Sequence, residues 1–124
     1  MHLDYNFNDQ INMWRRVNVF LYLNEDWEED WGGHLELWDA NRTSVVAAVA
    51  PLFNRLTIFT ASEVSWHGHP DPLRCPQDRT RKSLALYYYT AVDGYERDKR
   101  ITDFRPRSKD TWRTEEGLLS IRTP

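Results

Sequence analysis

The sequence predicts an all-β domain of the sandwich or barrel class, which includes the jelly-roll barrels. Three observations point there. Short apolar or alternating stretches recur at intervals of about 10–15 residues, with turn formers between them. None extends into the 3.6-residue period of a long helix. Six Trp, six Tyr and five Phe in 124 residues favour pleated, half-buried surfaces. The length suits one domain with a modest core. We expect a β core over residues 1–93 and a C-terminal tail over 94–124.

Residues 1–13 read as a strand end followed by a polar loop, closed by Met13 and Trp14. Arg16 to Leu23 (RVNVFLYL) is the first strong strand. Val17, Val19 and Leu21 share one face, and Asn18, Phe20 and Tyr22 the other; both faces are largely apolar, so both should be covered. Asn24 to Asp30 (NEDWEED) holds five carboxylates in seven residues and reads as a solvated hairpin loop rather than a metal site. Gly32 and Gly33 then give the backbone freedom to re-enter a sheet.

His34 to Asp39 (HLELWD) alternates as a half-exposed strand, with His34 on its surface side. Val45 to Val49 and Arg55 to Thr60 are two further strands, and Val64 to Trp66 leads into a His-Gly-His-Pro segment. Residues 68–80 carry Pro70, Pro72 and Pro76 and form a loop. Arg81 to Thr90 (RKSLALYYYT) is the last clear strand, with Arg81, Ser83, Ala85 and Tyr87 on one face. Beyond Asp93-Gly94 the chain is rich in charge and turn formers. It should pack over the sheet through Phe104, Trp112 and Leu118-Leu119, with at most a short helical turn.

The charge balance narrows the function. The formal net charge is −3 and the two signs are interspersed, so no basic face advertises nucleic acid. A single cysteine, Cys75, leaves no internal disulfide and no Cys/His zinc pattern, consistent with a cytoplasmic protein. No apolar run approaches the length of a membrane span or a signal h-region, so neither secretion nor a membrane is expected.

His2 and Asp4 carry the chemistry. Side chains two apart on a strand lie on one side, so an imidazole and a carboxylate stand together. They are two of the three ligands of a facial 2-His-1-carboxylate triad, which leaves positions open on Fe(II) for a chelating co-substrate and O₂. Ser65-Trp66-His67-Gly68-His69 offers the third, from either His67 or His69. Arg81 would present a rigid fork to a carboxylate, with the hydroxyl of Ser83 facing the same way and the phenol of Tyr22 on an inward face. Arg79 is the fallback for the arginine.

On these residues the chain resembles the 2-oxoglutarate/Fe(II)-dependent dioxygenase superfamily, in its prolyl-4-hydroxylase-like branch. The segments that carry the resemblance are His2-Leu3-Asp4, RRVNVFLYLNEDW with Gly32-Gly33, FNRLTIFTASEVSWHGHP and RKSLALYYYT, about residues 1–90. The resemblance implies a double-stranded β-helix, a jelly-roll fold of the cupin kind. It implies His2, Asp4 and His67 as iron ligands, the Ser-aromatic-His pattern favouring His67 over His69. It implies Arg81 on the distal carboxylate of 2-oxoglutarate, assisted by Tyr22 and Ser83.

The implied reaction hydroxylates a C–H bond, of a prolyl residue among other candidates in a protein, peptide or small molecule. It consumes O₂ and releases succinate and CO₂, with ascorbate as an optional addition. Asp4 at the carboxylate position argues against a halogenase. Family domains carry helices and a strand before the His-x-Asp motif, so the resemblance also implies a partial domain. An unfilled sheet edge would make a homodimer an option. The contrasting reading is a non-catalytic jelly-roll remnant acting as a metal-binding or interaction module.

Overall fold

The computed structural model describes residues 1–92, 94 and 98–107, and the backbone of 114–115 and 118–119. Its strands are β1 (His2–Leu3), β2 (Phe7–Asn8), β3 (Met13–Tyr22), β4 (Leu35–Trp38), β5 (Val45–Val49), β6 (Leu56–Thr60), β7 (His67–Gly68), β8 (Ser83–Ala91) and β9 (Asp103–Phe104). A small antiparallel pair, β10 (Thr114–Glu115) and β11 (Leu118–Leu119), follows. A 3₁₀ turn spans Glu29–Trp31, and the described residues hold no α-helix.

The strands form two antiparallel sheets. The first has the order β5-β4-β7-β1-β9. In the second, β8 runs the length of β3 on one edge, while β6 and then β2 share its other edge. From β3 to β8 the chain alternates between sheets, apart from the β4–β5 hairpin. Strands adjacent in space are therefore distant in sequence, as in a jelly-roll of the cupin kind.

The β3–β4 connection corrects the expectation of a hairpin over Asn24 to Asp30. Those strands lie in different sheets, so the acidic segment is a crossover. It carries its own packing: Trp27 meets Trp31 edge to face at 5.3 Å and donates its indole N–H to the Gly32 carbonyl at 3.0 Å. The acidic side chains stay in water, where they keep their hydration, and Glu29 lies 2.9 Å from Nε2 of His34.

The space between the sheets is filled by Tyr22, Leu35 and Phe59, with Phe20, Leu37 and Val49 around them. Period-two alternation puts one set of side chains from each sheet into this space. Leu3, Trp38 and Trp66 form a second cluster, joined by Met1. Leu3 and His2 point to opposite faces of β1, so this cluster seals the back of the sheet whose front carries the histidine. Of Val17, Val19 and Leu21 on the outer face of β3, Val19 is buried and the other two are half-buried, so that stretch is less covered than expected.

The segment after the last long strand does not only lie over the sheet. Asp103–Phe104 joins the edge of β1 as a strand, with Phe104 largely exposed and its ring 5.2 Å from that of His2. Trp112 lies outside the described residues.

Candidate metal centre and co-substrate clamp

His2 and His67 are direct cross-strand partners of β1 and β7. Their rings stand 4.3 Å apart between centroids. Asp4, two residues along from His2, turns its carboxylate to both: Oδ1 lies 3.4 Å from Nε2 of His2, and Oδ2 lies 3.4 Å from Nε2 of His67. Ligand-type atoms of the three residues all fall within 4.8 Å of one another. Close approach of the strands depends on Gly68, where a Cβ would come within 3.2 Å of the Met1 Cα. His69 lies outside this group, on a cleft with Gly33, His34 and Pro70.

The protonation states suit a metal. His67 is 2% exposed, and its Nδ1 sits 2.8 Å from the Ser65 carbonyl. Only an Nδ1–H can make that contact, so Nε2 carries the lone pair and faces Asp4. Burial disfavours the imidazolium and pushes its pKa down to about 4 despite the Ser65 contact, leaving a neutral ring at pH 7. Burial opposes the charge of Asp4 too, but contacts with His2, His67 and Arg15 outweigh it and hold the carboxyl below its ordinary value. The Arg15 guanidinium, 2.9 Å from Oδ2, favours the carboxylate form of Asp4.

Two residues at this site were not among the sequence-derived candidates. Arg15 is 4% exposed and donates from Nη2 to Oδ2 of Asp4 at 2.9 Å. Asn18, fully buried, donates from Nδ2 to the same oxygen at 2.7 Å. Nε of Arg15 also donates to the Asn18 amide oxygen at 2.8 Å. Residues three apart on a regular strand face opposite ways. Here the register against β8 slips between Arg15 and Val17, and the bulge turns Arg15 onto the face of Asn18 and Tyr22. Asn18 itself could have been found, as an amide on the inward apolar face that carries Tyr22.

Further along that face lies the second constellation. Tyr22 is fully buried, and burial raises its pKa against the pull of Arg81. Nη2 of Arg81 lies 3.4 Å from the Tyr22 hydroxyl, and the guanidinium stands 5.0 Å from the ring centre. Nε of Arg81 donates to the Gly33 carbonyl at 2.7 Å. Gly33 has φ 74°, and a Cβ there would strike the Leu73 side chain at 2.7 Å and Arg81 at 3.1 Å, so this crossover residue makes room for the arginine.

Asn24 grips the backbone beside Arg81. Its amide donates to the Lys82 carbonyl at 3.1 Å and to the Pro51 carbonyl at 2.7 Å, while its oxygen accepts the Lys82 N–H. Ser83 opens β8 directly across from Tyr22 and is exposed. Arg79 is exposed and lies 6.0 Å over Trp31 rather than against Tyr22.

The structure thus gathers His2, Asp4 and His67 at one place, and Arg81 and Tyr22 at another. Asn18, which touches Asp4, and Tyr22, which touches Arg81, lie four residues apart on one face of β3, so this strand borders both places. A donor set of two imidazoles and a carboxylate, with a bare Nε2 turned inward, fits a divalent transition metal.

Comparison with known proteins agrees. The family model of the 2OG-Fe(II) oxygenase superfamily matches residues 1–89, which include every residue of both constellations. The chain is also similar to prolyl 3-hydroxylase OGFOD1 of Mus musculus, at 32% identity over 79 residues; the match covers 60% of this chain and 14% of the mouse protein. Fold, ligand geometry and family match converge, and the chain belongs to the 2OG-Fe(II) oxygenase superfamily.

Proposed function

We propose that this chain carries the Fe(II) and 2-oxoglutarate site of a dioxygenase that hydroxylates a prolyl residue of a protein or peptide. The observation that carries the proposal is the convergence of His2, Asp4 and His67 within 4.8 Å on the first sheet, with Tyr22 and Arg81 paired on the second. The prolyl assignment is supported by likeness to the mouse prolyl 3-hydroxylase, of which the chain spans only a small part.

His2, Asp4 and His67 would hold the iron. When bound, it couples cleavage of O₂ to decarboxylation of 2-oxoglutarate, giving succinate and CO₂, with one oxygen atom passing to the substrate C–H. The protein's part is positional. The Ser65 carbonyl fixes the tautomer of His67, so a lone pair and not a proton faces the metal position. Arg81 offers its guanidinium, and Tyr22 its hydroxyl, to the far carboxylate of the co-substrate. The Phe59 ring, 4.7 Å from that of His67, shields the imidazole from water.

The test is anaerobic addition of Fe(II) and 2-oxoglutarate, followed by O₂. A weak visible charge-transfer band and then succinate, both lost in His67→Ala, are expected. A colourless mixture with no succinate above that control overturns the enzymatic reading.

One observation favours an interaction module instead. Leu84, Leu86 and Tyr88 of β8, with Leu56 and Ile58 of β6, expose apolar side chains on one sheet face. Under that reading His67→Ala leaves partner or self-association intact.

A further inference from the structure

The carboxylate of Asp4 is held asymmetrically. Both donors, Nη2 of Arg15 and Nδ2 of Asn18, converge on Oδ2, at 2.9 and 2.7 Å. A carboxylate oxygen has two lone-pair directions, so these contacts use the capacity of Oδ2. Oδ1 faces Nε2 of His2 at 3.4 Å and receives neither donor, while Oδ2, besides its two donors, lies 3.4 Å from Nε2 of His67.

The donors are themselves fixed. Nε of Arg15 binds the Asn18 oxygen at 2.8 Å, which settles the orientation of the amide and turns its NH₂ to Asp4. The guanidinium lies between two rings, 4.7 Å from the centre of Tyr5 and 3.8 Å from that of Tyr87. Arg15 and Asn18 have little room to reorient, being 4% and 0% exposed. The hydroxyl of Tyr5 is in turn bonded to that of Tyr89 at 2.7 Å.

We propose that Arg15 and Asn18 are positioning residues which occupy Oδ2 of Asp4, so that Asp4 offers the metal Oδ1 alone. This rests on the metal reading above and specifies its geometry. A carboxylate free at both oxygens could take two positions on the ion. One pinned at Oδ2 takes a single position, and the three that the triad leaves open remain available to co-substrate and O₂. The bulge after Arg15 serves this arrangement, since without it the guanidinium would point to the other side of the sheet.

The test is Mn(II) binding by the metal-free 124-residue chain, followed by loss of the free-ion electron paramagnetic resonance signal. Asn18→Leu keeps the volume and removes the donor, Arg15→Met removes the charge, and Asn18→Asp puts a like charge against Asp4. Each should weaken Mn(II) binding by about tenfold or more, in keeping with losses of partners behind metal ligands, with Asn18→Asp the weakest.

The spectrum of bound Mn(II) should also change in Asn18→Leu, as Oδ2 of Asp4 loses one of its two donors. A role confined to packing would leave that spectrum unmoved in any variant whose circular dichroism and melting curve match the native chain. Native-like affinity and spectrum in folded Asn18→Leu and Arg15→Met overturn the proposal while leaving the metal site standing. Failure of the native chain to bind Mn(II) more tightly than His67→Ala overturns both.

Discussion

Individual side chains at the site make separable contributions. Under the proposed function Arg81 would hold the co-substrate, and its own contacts are with Tyr22 and Gly33. Replacing it with Met removes a charge-assisted pair worth about 1.5–3 kcal/mol, which corresponds to roughly 10–100-fold in affinity. Arg81→Met should therefore weaken 2-oxoglutarate binding to the Mn(II)-loaded chain by that factor in calorimetric titration, with Mn(II) affinity unchanged. His67 predicts a pH effect in the metal-free chain. Its pKa falls from 6.5 to about 4 on folding, so between those values the unfolded chain binds the extra proton and stability rises with pH. Across that window the effect is about 3 kcal/mol at 1.36 kcal/mol per pH unit. Thermal melts should show this slope in the native chain and lose it in His67→Gln.

Secondary elements decided what the sequence disclosed. His2, Asp4, Tyr22 and Arg81 were legible because period-two alternation and residue type suffice to place them. The β5 strand, Val45–Val49, lies where its apolar run and following Pro51 put it. Arg15 was illegible because the bulge after it inverts the alternation rule. The acidic crossover resembled a hairpin because both solutions need turn formers and carboxylates in water; what separates them is which sheet receives β4. β9 was hidden because a two-residue strand in a charged segment has no period to read.

The hairpin that does form, β4–β5, has its own device. Oδ1 of Asp39 accepts the backbone N–H groups of Thr43 and Ser44 at 2.7 and 3.1 Å, and Oδ2 accepts the Thr43 hydroxyl at 2.6 Å. The Thr43 hydroxyl is the foremost cause that lowers its pKa. A carboxylate with a depressed pKa stabilises above the ordinary value, and the benefit fades as pH drops below about 4. Asp39→Asn should lower the melting temperature at pH 7, and the gap to the native chain should narrow below pH 4.

At the scale of the whole molecule, the two faces of the second sheet differ sharply. The inner face builds the site. On the outer face, registers Leu21↔Leu56, Leu21↔Leu84, Val19↔Ile58 and Val19↔Leu86 align apolar side chains across three strands. Ile58 is 62% and Leu86 56% exposed, so this patch faces water. If the patch mediates self-association, Leu86→Lys combined with Ile58→Lys should reduce it in light scattering while leaving the circular dichroism spectrum unchanged, because neither side chain supports the interior. Retained self-association would show that another surface is responsible.

The placement of β1 has a further consequence, in the order of folding. This two-residue strand is stapled on one side by β7 and on the other by β9. Met1 and Arg105 exchange backbone hydrogen bonds, and both Nε and Nη2 of Arg100 donate to the Asp4 carbonyl, at 3.2 and 3.1 Å. Two of the three candidate metal ligands are thus anchored by residues almost a hundred positions downstream. Contacts that close such a long loop carry the entropy of closure before they return any stability. The triad cannot be assembled progressively along the chain. It comes together when residues near 2 meet β7 near 67, with β9 near 104 closing the other side of β1, so an assembled triad reports that β1 has found its place in the sheet.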